Sequence, residues 1–425
     1  MEYIAGSFII LIFCITISCW EYSRLGTVIS PFGVLAWPYA VVVCMINIIG
    51  RHFGFFGVSL KSILFVVLCM VFFCLGGMAV RMRGSNRKNL TVKKERLEVF
   101  DRFRPLYIIL ALVAIAAAVL HFVNLMNRFE LYQLMTKQFR DEYGSGALSH
   151  IMLFGRPAFV FLFADYIHKK RWWIIPILVA IVGLILIRQV KYHIIVLILA
   201  SLYYSYYNGL IRFNFKKLLF YSVLAYLIFD ISYSVGFSAL GISHALSSEV
   251  QSFLFNHFFT YLFGGPIGFS EILKSSAYPL YTYKEVFAVP INIVRFLHRE
   301  PSMVDIVIHN WVVVSNIYKY FHSSNVFTMF GTLYAYIGPY MTLIYCFFTG
   351  LFSYMIASLA AKETSSPAVR MLYSFILGFL TLSFFGFYFN MLPFVEICLY
   401  TVIFPFLFSF IMEFFEVIGR EYRAT

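Results

Sequence analysis

LKSILFVVLCMVFFCLGGMAV (residues 60–80), RMRGSNRKNLTVKKERLEVFDRFR (81–104) and PLYIILALVAIAAAVLHFVNLM (105–126) follow one another in the chain. Each flanking piece is about 20 residues of almost purely apolar sequence. That is the length a helix needs to cross the ~30 Å hydrocarbon core of a bilayer at ~1.5 Å per residue. The piece between them carries nine Lys or Arg. Basic residues collect in the cytoplasmic connections of membrane proteins, so the stretch reads as two transmembrane helices joined by an inner loop.

The rest of the chain repeats this pattern. Of its 425 residues, 61% are hydrophobic and 12% charged, with a mean hydropathy of +0.82. A soluble domain carries about 25% charged residues. A globule this apolar has too little interior for its side chains, so the excess must face lipid. About eleven segments reach spanning length: 3–20, 31–50, 60–80, 105–126, 149–167, 173–187, 193–208, 218–235, 337–361, 371–390 and 393–415. The sixth and seventh are short, which predicts a junction near Arg188 below the membrane surface. The expected fold is an all-α polytopic membrane protein with one large outer-face loop. Its parts are an N-terminal bundle of about eight helices (1–235), the loop (236–325) and about three C-terminal helices (326–425). No basic leader precedes residues 3–20 and no small-residue cleavage pattern follows them, so a retained helix is expected there.

Alternating outward from 81–104 places Arg24, Lys169, Lys170, Arg171, Arg212, Lys216, Lys217, Lys362, Arg370, Arg420 and Arg423 inside as well. The N-terminus then faces out and the C-terminus in. This bias accounts for the net charge of +13 without a nucleic-acid partner. All seven cysteines fall in apolar runs with no CxxC spacing, so neither a disulfide framework nor a metal site is expected, and no cofactor is implied.

Within the long loop, the apolar stretch 253–263 is predicted to be interfacial or re-entrant, because a full crossing would reverse the charge bias of everything after it. Ser248, Ser252, Asn256 and Thr260 recur every four residues, on one face of a helix with phenylalanines opposite. Gly264, Gly265 and Pro266 are expected to end it.

No P-loop, GxGxxG, HExxH, GxSxG or DxD loop is present. An outer-face site has no access to cytoplasmic ATP or sugar nucleotides, so a lipid-linked activated group fits as the energy source. Charges inside spans cost about 2.5–3.5 kcal/mol on insertion scales. Arg156, Asp230 and Glu396 are such charges, and either line a cavity or pair as structural glue. Asp165 lies near the inner surface. Outer-side Arg128, Lys137, Arg140, Arg188, Lys191, Arg295 and Arg299 offer forks and charges that suit phosphate or lipid headgroups. Asp305 and His309 are four apart after Pro301, the spacing of a carboxylate that orients an imidazole base or of a solvated helix face. His298 is a second base candidate in the loop.

Two stretches carry a family resemblance. FTYLFGGPIGFS (259–270) resembles the Tyr-Leu-x-Gly segment of the Wzy-type oligosaccharide repeat-unit polymerases, the O-antigen and capsule polymerases. NVFTMFGTLYAYIG (325–338) resembles their Asn-x-x-Thr…Tyr-x-Asp-x-Gly segment. Asn325, Thr328, Tyr334 and Gly338 fit, while Tyr336 stands where the family has an acid, so any role of that acid must fall to another group. Both share the layout of many spans with one large outer loop in the second half.

The resemblance implies a GT-C-like glycosyltransferase of the bacterial inner membrane, with a periplasmic N-terminus and a cytoplasmic C-terminus. It would join undecaprenyl-pyrophosphate-linked oligosaccharide repeat units at the periplasmic face, beside a chain-length regulator and a flippase. Arg140, Arg188, Lys191, Arg295 and Arg299 would then hold pyrophosphate, with His309 or His298 as base and Asp305 behind His309. An O-antigen ligase, or a flippase or other transporter of lipid-linked oligosaccharide, is the alternative.

Overall fold

The computed structural model describes residues 2–80, 94–188, 190–212, 226, 227, 230, 233, 247–300, 303, 304, 311–317, 322–362 and 364–424. The chain is a multi-pass, all-α membrane protein. Among the described residues, eight helices are long and apolar enough to cross a bilayer. The expected spans at 173–187 and 193–208 form as shorter helices, and 218–235 lies mostly outside the described residues.

Among the described residues the helices are α1 (Glu2–Leu25), α2 (Pro31–Ile48), α3 (Leu60–Met78), α4 (Lys94–Met126), α5 (Lys137–Tyr143), α6 (Gly146–Met152), α7 (Gly155–Lys169), α8 (Ile174–Ile187) and α9 (Lys191–Tyr207). They continue as α10 (Ser248–Ile272), α11 (Ala288–Leu297), α12 (Met329–Ala360), α13 (Pro367–Thr381) and α14 (Leu392–Ala424). One two-residue antiparallel pair, β1 (Val312–Val313) with β2 (Ser323–Ser324), lies before α12. The chain forms two compact units. The first is Met1–Arg87, Tyr226–Leu359 and Ile376–Phe394; the second is Lys88–Ala225, Ala360–Phe375 and Val395–Thr425.

In the first unit, small residues let helices touch backbone to backbone, the usual device where lipid supplies no hydrophobic drive between helices. Gly76 of α3 meets the backbone of α12 at Phe347 and Leu351, and Gly350 of α12 meets the backbone of α3 at Phe73. Asn47 ties three segments together. Its Nδ2 donates to the Tyr3 carbonyl (3.1 Å) and the Ser7 hydroxyl (3.2 Å), and its Oδ1 accepts from the Val58 N–H (2.8 Å).

The expected stop at Gly264–Gly265–Pro266 does not occur: α10 runs on to Ile272 with Pro266 inside it. Proline removes one helical hydrogen bond, but the turn is held by close packing. A Cβ on Gly265 would lie 2.6 Å from the Phe384 carbonyl oxygen, and Ser270 beyond it accepts from the Ser59 N–H at 3.0 Å. Of the polar stripe, Thr260 is buried, as are Leu254, His257 and Phe263.

The Wzy-like residues of 325–338 shape the start of α12. Thr328 Oγ1 accepts from the Gly331 N–H at 2.9 Å, capping the helix, and Tyr334 packs edge-on to Phe65 with ring centroids 5.5 Å apart. Gly338 sits at φ 76°, ψ 175°, a conformation essentially restricted to glycine. Pro339 follows it and has no N–H for the Ala335 carbonyl; Leu280 N–H donates to that oxygen instead, at 2.7 Å. Tyr336, at the family's acid position, is buried.

In the second unit, the segment after α4 folds back over the end of that helix. Leu125, Phe129, Phe139 and Tyr143 form a buried cluster joined by Phe122, Leu134, Met152 and Ile187. The expected span 149–167 falls within Gly146–Lys169, one of the eight spanning lengths, which is broken between α6 and α7. Pro157 cannot donate to Leu153, and that carbonyl accepts from Arg156 N–H at 3.0 Å instead.

Candidate anion-binding site

The end of α8 brings Arg188 together with Arg156, both in the second unit. α8 has 14 residues, about 21 Å of helix, so it ends short of a full bilayer crossing. Arg188 caps it. Arg156 sits one residue into α7, 6% exposed. Both line one cavity of ≈ 30 Å³ walled by Ala114 and Ala118 of α4, Ser149 of α6 and Ile181 of α8.

Neither guanidinium has an ion pair among the described residues, and Nη1 of Arg156 and Nε of Arg188 are buried with no hydrogen-bond partner. Two like charges between apolar walls repel one another and lose hydration. Among the described residues no acid offsets them, and an anion entering the cavity would accept from the idle N–H groups. Guanidinium forks match the paired oxygens of a phosphate. His193, buried at the start of α9, adds an unpartnered Nε2 in the field of the same two arginines.

The surrounding shell holds this pair in place. Gly144, between α5 and α6, gives Arg188 its seat: a Cβ there would fall 2.5 Å from Nη2 and 2.8 Å from Cζ. Tyr143 lines the cavity and stacks on His121 (centroids 5.4 Å apart, 13° between planes). Burial pushes its hydroxyl up to about 12 against the pull of Arg156 and Arg188, so it stays a neutral donor at physiological pH.

The other predicted residues lie elsewhere. Arg140 is half-buried on α5 and does not line the cavity. Lys191 opens α9, but its side chain lies outside the described residues, as do Asp305 and His309. Arg295, on α11 in the first unit, pairs with Glu300 at 3.4 Å. Arg299 follows at a left-handed φ of 57°. Exposed His298 donates from Nδ1 to the Val294 carbonyl at 2.8 Å. Asp230 has one buried carboxylate oxygen without a partner in the first unit. Glu396, expected to be a cavity charge or structural glue, accepts from His150 Nδ1 at 2.6 Å. Sequence reasoning missed His150, because its partner is 246 residues away.

No curated protein and no solved structure matches the chain. A family model matches residues 54–414, most of the chain, and so the protein belongs to DUF6337, a family of unknown function.

Proposed function

We propose that the protein is a Wzy-type polymerase, a GT-C-like glycosyltransferase with about eleven spans. It joins undecaprenyl-pyrophosphate-linked repeat units at the periplasmic face of a bacterial inner membrane. The N-terminus is periplasmic and the C-terminus cytoplasmic, in keeping with the Lys and Arg bias of the connections. The observation that carries the reading is the Arg156–Arg188 cavity, with two buried guanidiniums and no counter-charge among the described residues.

A glycosyl pyrophosphate donor gathers charge on its leaving oxygen as the sugar departs. Donors already aimed at that position lower the barrier without reorganising. The cavity has room for about two waters, so one phosphoryl group reaches in while sugar and lipid stay outside. The short α8 supports this depth: a headgroup diphosphate meets the arginines just below the surface, with its isoprenoid tail still among the helices. The layout around 259–270 and 325–338 supports the same family.

Replacement of Arg188 or Arg156 by Ala is expected to abolish long polymer in cells at unchanged protein level. A normal ladder of chain lengths in both variants overturns the proposal. A knockout that leaves bare core with polymer on the carrier lipid would instead mark a ligase, and repeat units stranded on the inner leaflet a flippase.

A further inference from the structure

The thirteen residues from Gly144 to Arg156 hold more than the arginine cavity. Gly144 seats Arg188, Ser149 forms cavity wall, and Arg156 supplies the second guanidinium. His150 lies beside Ser149 on α6. Its Nδ1 is 2.6 Å from Glu396 Oε1, and Glu396 occupies the second turn of α14.

The carboxylate is fixed in turn. Tyr400, one turn further on, donates to the same Oε1 at 3.4 Å. Phe154 packs edge-on against Tyr400 and Phe404 at 4.8 and 4.7 Å, which pins the junction of α6 and α7 to α14. Glu396 is therefore sheltered, with 13% of its side chain exposed, while His150 keeps 45%. The imidazole is held from one side only. Its Nε2 makes no hydrogen bond among the described residues.

A carboxylate bound to one ring nitrogen fixes the tautomer with its proton on Nδ1 and stabilises the imidazolium formed when Nε2 takes a second proton. A pair serving only to join two helices has no need of a half-exposed ring. We propose that His150, oriented by Glu396, is the proton acceptor for the hydroxyl attacked onto the donor sugar. This assignment rests on the polymerase reading. The acceptor hydroxyl oxygen bonds to the anomeric carbon of the donor chain as the bond from that carbon to the pyrophosphate oxygen breaks. The bonding pair leaves on the pyrophosphate, where Arg156 and Arg188 offset the charge. The hydroxyl proton passes to Nε2, and Glu396 acts as a positioning residue without touching substrate.

The test uses the full chain, purified in detergent, with lipid-linked repeat units, and geranyl diphosphate as a binding probe. His150→Gln is expected to lower kcat by at least about a hundredfold, with KM and probe affinity within about twofold of wild type. Glu396→Gln, which keeps a hydrogen-bond acceptor but loses the charge, is expected to fall between the two. Added imidazole should restore turnover to His150→Ala, which a packing role alone does not predict. If His150→Gln fails to fold, the imidazole rescue and Glu396→Gln decide the matter. Polymerisation by His150→Gln at the wild-type rate, or by Glu396→Gln with no rescue of His150→Ala, overturns the assignment. An inactive wild type, or probe affinity that survives Arg188→Ala, overturns the polymerase reading itself, a distinct result.

Discussion

Two arginines of the second unit, Arg104 on α4 and Arg156 on α7, show opposite ways of burying a guanidinium. Arg104 is saturated with acid. Its Nε donates to Asp165 Oδ2 at 2.7 Å, and its Nη2 to Asp165 Oδ1 at 3.1 Å and Asp101 Oδ1 at 2.6 Å. Lys169 and Arg171 also pair with Asp101. Every charge there has a partner, and the group works as a clasp between helices. Arg156 has no acid beside it among the described residues, and the charge nearest it is a second arginine. Among the described residues Arg104 meets its anions inside the protein and Arg156 meets none, as the proposed diphosphate site requires.

This contrast is sharpest when the same change is made at both sites. Arg104→Met leaves Asp165, which has a fully buried side chain, without its partner. It should cost about 3–5 kcal/mol, read as a lower midpoint of thermal unfolding in detergent. Arg156→Met removes an uncompensated charge instead. It should raise the midpoint, by about 1–4 kcal/mol of stability, while abolishing diphosphate binding. A fall in stability at Arg156 similar to that at Arg104 would show that both arginines are structural and erase the distinction.

Smaller effects probe the seat and the periphery. Gly144→Ala should displace the Arg188 guanidinium and weaken geranyl diphosphate binding about tenfold, ~1.4 kcal/mol, measured by titration. Its unfolding midpoint should barely move, because the obstructing atoms are the mobile end of a side chain. Unchanged affinity would mean that Arg188 finds a second route to the ligand. Glu300→Ala, which breaks an exposed pair with Arg295, should change stability by less than about 1 kcal/mol and leave polymer length unaltered.

Length and hydropathy carried most of the spanning helices, because a bilayer imposes a nearly one-dimensional rule on each segment. Arg156 was legible as a costly residue for the same reason. Its meeting with Arg188 was not, since that depends on how α7 packs with α8, and nothing local encodes the contact. The pairing of His150 with Glu396 was hidden more deeply: Glu396 stood out as a charge within a span, but His150 looks ordinary until α14 docks on α6. The Gly264–Pro266 stop failed because a local breaking signal was outweighed by packing that only the folded unit supplies. Arg295 was chosen for its side of the membrane, and its pairing with Glu300, five positions along the chain, needed the fold of α11 to be seen.

The interlocked glycines of α3 and α12 limit how the first unit can rearrange. With Gly76 against the backbone at Phe347 and Gly350 against that at Phe73, axial slippage by one residue would drive a side chain into a peptide group. The lower part of α12 therefore cannot act as a piston. Before the break at Gly338 and Pro339 the helix is held separately, with Leu280 and Thr282 N–H donating to the Ala335 and Tyr336 carbonyls and with Met329, Phe330 and Leu333 fully buried.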